Sequence, residues 1–127
     1  MESLGLRTTI YTVSDLGAAK EWYAKAFGFR PYFDEPFYVG FDIAGFELGL
    51  LPEEKPVKKG ENVIAYWGVE DIDKVYKKLI DIGATEIEKP TNVGGVIVVA
   101  SVKDPWDNAI GIIYNPEFKI RLKKINK

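Results

Sequence analysis

The chain has no cysteine and no histidine among its 127 residues, and a single methionine. Without cysteine, disulfides, thiolate metal centres and cysteine nucleophiles are excluded. Without histidine, the commonest metal ligand and the commonest general base are missing too. No apolar run approaches the ~20 residues of a membrane-spanning helix, and Met1-Glu2-Ser3 does not open a signal peptide. An excess of one charge is also lacking: 17 Lys and Arg stand against 19 Asp and Glu, a net charge of −2, so nothing marks the whole chain as a nucleic-acid binder. GxSxG, P-loop and GxGxxG patterns do not occur, which leaves nucleophilic and nucleotide-dependent chemistry unsupported. The expectation is a cytoplasmic protein with neither membrane nor nucleic acid as partner.

Hydrophobic residues make up 46% and aromatics 13%, enough for one buried core at the length of one domain. Leu6 to Val13 reads as a strand, with Ser14 and Asp15 as capping candidates. Leu16, Ala19, Tyr23, Ala26 and Phe27 then recur at helical spacing up to Gly28, a C-terminal helix glycine. Asp34-Glu35-Pro36 breaks the chain, Arg30 to Phe33 offers a short extra strand, and Phe37 to Ile43 and Phe46 to Leu51 flank the turn Ala44-Gly45. Polar Pro52 to Asn62 is a linker. The order then begins again: strand Val63 to Val69, cap Glu70-Asp71, and the helical stripe Ile72, Val75, Tyr76, Leu79 and Ile82 closed by Gly83. A turn-rich loop, Pro90 to Gly95, precedes strand Val96 to Val102. The turn Asp104-Pro105-Trp106-Asp107-Asn108 leads into strand Ala109 to Tyr114. Val13-Ser14-Asp15-Leu16 aligns with Val69-Glu70-Asp71-Ile72, 56 positions later. Leu48-Gly49-Leu50 likewise matches Ile110-Gly111-Ile112, so a duplicated module is the better reading.

With its Trp22-Tyr23 to Phe27-Gly28-Phe29 helix end, the two repeated motifs and the Asp104–Asn108 turn, the chain resembles the vicinal oxygen chelate superfamily over roughly residues 6–115. That superfamily includes glyoxalase I, bleomycin- and fosfomycin-resistance proteins and extradiol dioxygenases. The resemblance implies an α+β fold of two βαβββ modules in tandem, forming a curled mixed sheet with a cup-shaped cleft, often completed by a second subunit. Module boundaries fall near 6–51 and 63–115, with linker 52–62 and a basic extension 116–127. The family's metal-ligand positions map onto Thr8, Gly49 (or Leu48), Ile64 and Gly111. None of these carries an imidazole or carboxylate. The resemblance therefore implies no metal and no cofactor, and glyoxalase or dioxygenase activity is not expected.

Strand alternation turns Thr8, Ile10 and Thr12 toward the cleft, with Glu47, Gly49 and Leu51, Ile64, Tyr66 and Gly68, and Ala109, Gly111 and Ile113. The result is a mostly apolar pocket. Glu47 is either an exposed strand residue or, buried against Ile64 and Tyr66, a carboxylate of raised pKa acting as proton acceptor or cation anchor. Gly49 and Gly111 either mark close backbone approach or widen the cavity floor. Tyr38, with Tyr32, Phe33 and Phe37, lies near the pocket mouth or in the core. Trp22 and Trp67 read as core, and Trp106 as a ligand or subunit contact or as local packing. Residues 116–127 carry five basic residues and one acid, and Phe118, Ile120 and Leu122 alternate with Lys119, Arg121 and Lys123 as in an edge strand. Three functions stay open: a metal-free binder of a small, partly hydrophobic or aromatic molecule, possible drug sequestration included; a metal-independent lyase or isomerase using Glu47 or Tyr66; and an accessory protein with a vestigial cleft. A homodimer is expected.

Overall fold

The computed structural model describes residues 1–60 and 62–119. The first module runs β1 (Thr8–Val13), α1 (Leu16–Phe27), β2 (Phe33–Glu35), β3 (Tyr38–Ile43) and β4 (Phe46–Pro52). The second runs β5 (Tyr66–Gly68), α2 (Ile72–Asp81), β6 (Thr85–Gly94), β7 (Ile97–Lys103) and β8 (Ala109–Tyr114). Each module builds a four-stranded mixed sheet, ordered β1-β4-β3-β2 and β5-β8-β7-β6. The duplication extends to register. β1 lies parallel to β4 with Ile10 beside Gly49, and β5 lies parallel to β8 with Tyr66 beside Gly111. This is the tandem βαβββ, α+β architecture that the repeat implies.

Local chemistry accounts for the element ends. Asp15 accepts from the Ala18 amide at 3.0 Å and Asp71 from the Lys74 amide at 3.2 Å, each supplying an orphan donor of a first helical turn. Gly28 closes α1 at φ 77°. Ala44 and Gly45, at φ 52° and 92°, form the two-residue hairpin turn whose twist suits antiparallel β3 and β4.

Three strands differ from the sequence reading. Residues 90–94, read as loop, belong to β6. This is an edge strand, and its register slips between Glu88 and Thr91, so Pro90 sits where a missing N–H costs no ladder bond. The extra short strand is Phe33–Glu35 rather than 30–33. β5 keeps only Tyr66–Gly68 of 63–69, although the Ala65 carbonyl still accepts from the Gly111 amide and the Val69 amide still donates to the Ile113 carbonyl, each at 2.9 Å.

Alternation sorts the two faces of each sheet. Tyr11, Val13, Val39, Phe41, Leu48 and Leu50 of the first sheet are buried under α1, which contributes Ala19, Trp22 and Tyr23. Ala100, Val102, Ile110 and Ile112 are buried under α2 with Ile72 and Leu79. Helix α1 also ties the modules together. The Trp22 indole donates to the Ile82 carbonyl (2.7 Å), the Tyr23 hydroxyl donates to buried Asp104 (2.6 Å), and Phe27 meets Trp67 edge to face at 5.2 Å. Asp104 further accepts from the Trp106 and Asn108 amides (2.8 Å each) and the Asn108 side chain (3.0 Å). The most distinctive turn of the sequence is thus a structural corner.

Candidate functional site

A cavity of about 990 Å³ opens between the modules, where β1 begins and β5 ends. Leu6, Phe46, Tyr66, Trp67 and Tyr114 supply apolar wall, and Thr8, Glu47 and Glu70 the polar atoms. Two of the charged groups at its margin, Arg7 and Lys119, are exposed. Arg7 is turned onto the Leu4 carbonyl at 2.6 Å.

The register sets Glu47 beside Thr8 on β1 and beside Asp42 on β3. The Thr8 hydroxyl donates to one carboxylate oxygen of Glu47 and the Tyr32 hydroxyl to the other. These two bonds, with a smaller contribution from Tyr38, outweigh partial desolvation and hold the Glu47 carboxyl below its ordinary 4.5. Of the two readings of this residue, the buried carboxylate of raised pKa is therefore corrected. Burial against apolar neighbours loses to hydrogen bonds that favour the ionised form. The phenols respond in the opposite sense. Burial, followed by the Glu47 carboxylate, pushes Tyr38 up to about 12, and the hydrogen bond to Glu47 raises Tyr32. Both remain protonated donors at neutral pH.

Glycines make this cluster possible. Gly40 and Gly49 are partners on neighbouring strands. A Cβ at Gly40 would stand 2.8 Å from Glu47 Oε2, and one at Gly49 would overlap the Tyr38 hydroxyl. In the second module a Cβ at Gly111 would stand 2.5 Å from the Tyr66 ring and 2.9 Å from the Ala65 carbonyl. The expectation that Gly49 and Gly111 widen the cavity floor is corrected: the space they leave is filled by tyrosine rings.

Of the sequence-stated site residues, Thr8, Glu47 and Tyr66 line the cavity together. Tyr38 joins them through Glu47, and Gly111 lies under Tyr66. Ile10 is exposed beside Gly49 on the same sheet but outside the cavity wall, as are Gly49 and half-buried Ile64. Trp106 is not at the cavity. It packs edge to face on Trp22 at 6.4 Å, within the module joint, so local packing is its role within the chain. Tyr32 was missed as a partner of Glu47. Its signal was the pair of glycines in YVGF and ELGL, which leaves room for a large neighbour. Phe46, the first residue of β4, also reaches the cavity. The edge-strand reading of residues 118–123 falls largely outside the described residues.

The divalent metal of the vicinal oxygen chelate enzymes finds no matching donor set here. The residue beside Thr8 is Glu47 rather than Gly49, and the positions that repeat this pair in the second module are Ile64 and Ala109. One carboxylate and one hydroxyl, already bonded to each other, do not make a site that normally needs three or four imidazole or carboxylate donors. Among the described residues no group of three or more Asp or Glu side chains is placed to hold a metal ion.

Comparison with known proteins agrees with this architecture. No curated protein matches the chain. It is similar in structure to a glyoxalase-related enzyme from Fulvimarina pelagi, at 18% identity and TM-score 0.78, covering 94% of each chain. A glyoxalase/bleomycin resistance protein/dioxygenase family enzyme from Burkholderia phytofirmans PsJN superposes at 21% identity and TM-score 0.70, covering 84% of this chain and 95% of that one. A genomically encoded fosfomycin resistance protein from Listeria monocytogenes does so at 15% identity and TM-score 0.72, covering 92% and 96%. At such identities these likenesses establish the fold. The family model covers residues 5–112, from the strand that carries Thr8 to the one that carries Gly111, and by that match the chain belongs to the Glyoxalase/Bleomycin resistance protein/Dioxygenase superfamily.

Proposed function

We propose that this chain is a metal-free binding member of its superfamily, holding a small, partly hydrophobic or aromatic molecule between its modules. Sequestration of a drug-like compound in the cytoplasm, on the pattern of bleomycin resistance, is the nearest functional model. The observation that carries the reading is the combination at one place. A cavity of about 990 Å³ with aromatic walls stands where the family's metal-ligand positions supply one carboxylate and one hydroxyl. Its volume falls within the range of small-molecule pockets. An open cavity also argues against a vestigial cleft filled by its own side chains. A lyase or isomerase using Glu47 as base is disfavoured, because a carboxyl held below its ordinary range is a weak proton acceptor. No helix among the described residues is long and apolar enough to cross a membrane.

An unbiased thermal-shift screen tests the proposal. A ligand at 100 times its Kd adds about 2.7 kcal/mol of apparent stability by mass action. Saturable stabilisation by an aromatic or apolar compound, retained in chelator, is the expected result. Stoichiometric Zn, Ni, Fe or Mn retained after purification and bound by side chains of β1, β4, β5 or β8 would overturn it.

We also propose that the protein is a homodimer. Ile10, Tyr32, Phe33 and Phe37 leave apolar surface exposed on and beside the first sheet, and the last three lie in one aromatic cluster, the kind of patch that serves as an interaction surface.

A further inference from the structure

We propose that the open cavity is a site for an organic cation: a primary ammonium or guanidinium carried on an apolar or aromatic stem. This rests on the small-molecule reading above and adds the sign of the ligand's charge. The observation that points to it lies at the opposite end of the module joint, where the chain has already built such a site and filled it. Lys59 of the linker runs between the modules there. Its ammonium donates to the Thr12 carbonyl (2.6 Å), the Trp106 carbonyl (3.1 Å) and Asn108 Oδ1 (3.2 Å), and it pairs with the Glu53 carboxylate at 3.3 Å. Four oxygens surround one compact cation, and both ionic side chains are largely withdrawn from water.

The internal repeat carries this arrangement onto the open cavity. With Ile10–Gly49 laid on Tyr66–Gly111, Thr12 corresponds to Gly68, Glu53 to Asn115 and Asn108 to Phe46. All three counterparts line the cavity. The two crevices are thus equivalent in the fold, one stoppered by a lysine and the other open. The open one has lost the carboxylate at the position of Glu53 but has gained Glu47 in its wall. An ionised carboxylate offers about four acceptor positions. Thr8 and Tyr32 occupy one on each oxygen and Tyr38 contributes a third, weaker bond, which leaves one position for an incoming N–H. Tyr66, 44% exposed, offers a ring face to the same cation, and Leu6 and Phe46 suit its stem. Half-buried Glu47 is the charged group set in the wall itself, whereas Glu70, Arg7 and Lys119 stand exposed at the margin, so an anion seated in the wall would meet a carboxylate.

The cation has two conceivable sources, a free amine or this chain's own Arg121 and Lys123. The repeat that lays Glu53 on Asn115 lays Lys59 on Arg121, which lies outside the described residues. Calorimetry with three probes that share a phenethyl stem separates the cases: phenethylamine, 2-phenylethanol and 3-phenylpropanoate, on the full chain at pH 7 and low salt. The amine is expected to bind at least tenfold more tightly than the alcohol, with the carboxylate weakest, and Glu47→Gln is expected to bring the amine down to the alcohol's level. The comparison of probes on the parent protein needs no variant and stands if Glu47→Gln folds poorly. Equal affinity for amine and alcohol, or preference for the carboxylate, overturns the cation assignment while leaving an apolar receptor intact. A double variant, Arg121→Gln with Lys123→Gln, identifies the source. Amine binding that strengthens tenfold or more in it shows the chain's own cation resident in the cavity, and unchanged binding assigns the site to a free amine. If none of the probes binds either protein, the cation assignment and the small-molecule reading both fall.

Discussion

Thr8 and Tyr32 each hand a hydroxyl hydrogen to Glu47, so protonating that carboxylate discards contacts that only the ionised form makes. Its folded pKa lies below the ordinary 4.5. The stabilisation from this group is therefore fully present above the ordinary value and is lost as pH falls through the lowered one. Carbon-detected NMR titration should find Glu47 titrating below 4.5, with Thr8→Val and Tyr32→Phe each moving it upward. A midpoint above 4.5 in the parent would contradict the hydrogen-bond geometry. The glycines make a second prediction at this scale. A methyl at Gly49 meets the movable end of Tyr38, whereas one at Gly111 is also caught by the Ala65 backbone. Gly111→Ala should therefore cost about 1–3 kcal/mol as an overpacked substitution, and Gly49→Ala less, in urea denaturation.

Among the elements, the β7–β8 hairpin shows how much a short turn can organise. Asp104 collects four donors, three from its own turn and one from Tyr23 on α1. Tyr23→Phe removes only the link between elements. A hydrogen bond to a carboxylate is worth about 1.5–3 kcal/mol, and a loss of that size in urea melts, with the hairpin amides still protected from exchange, is the expected outcome. Most of the fold could be read from the sequence because it is written in local signals. Asp15 and Asp71 cap helices, Gly28 ends one, Ala44-Gly45 turns a hairpin, and the spacing of Gly49 and Gly111 records the repeat. β6 was not legible, because a proline in an edge strand at a bulge looks like a loop until the sheet order is known. The site was legible in part. Alternation turns Thr8, Glu47 and Tyr66 toward a common space, but which tyrosine fills a glycine gap depends on contacts between strands that no periodicity encodes. The sign of the Glu47 shift was lost for the same reason, since it depends on Tyr32, fifteen residues away.

For the whole molecule, the decisive group is Lys59, which fastens β1, the β7–β8 turn and the linker at one point. Lys59→Met keeps the stem and deletes the ammonium, leaving Glu53 and the Trp106 carbonyl without their partner. A loss of about 1–3 kcal/mol is expected, read as a lower urea midpoint. Assembly is testable at the same scale. A two-fold interface of standard size buries about 1,600 Å². Sedimentation at micromolar concentration should give twice the 14.3 kDa chain mass, and a monomer there would contradict the dimer.

The placement of the three indoles has an optical consequence. Trp67 forms part of the cavity wall while its N–H is held by the Tyr11 hydroxyl at 3.2 Å. Trp22 and Trp106 face each other across the module joint. One fluorophore is therefore stationed at the cavity, and two at the seam that holds the halves together. Quenching on addition of a ligand should disappear in Trp67→Phe, while the red shift that accompanies separation of the modules should persist. In the intrinsic emission of a single unlabelled chain, occupancy and unfolding become two distinguishable signals.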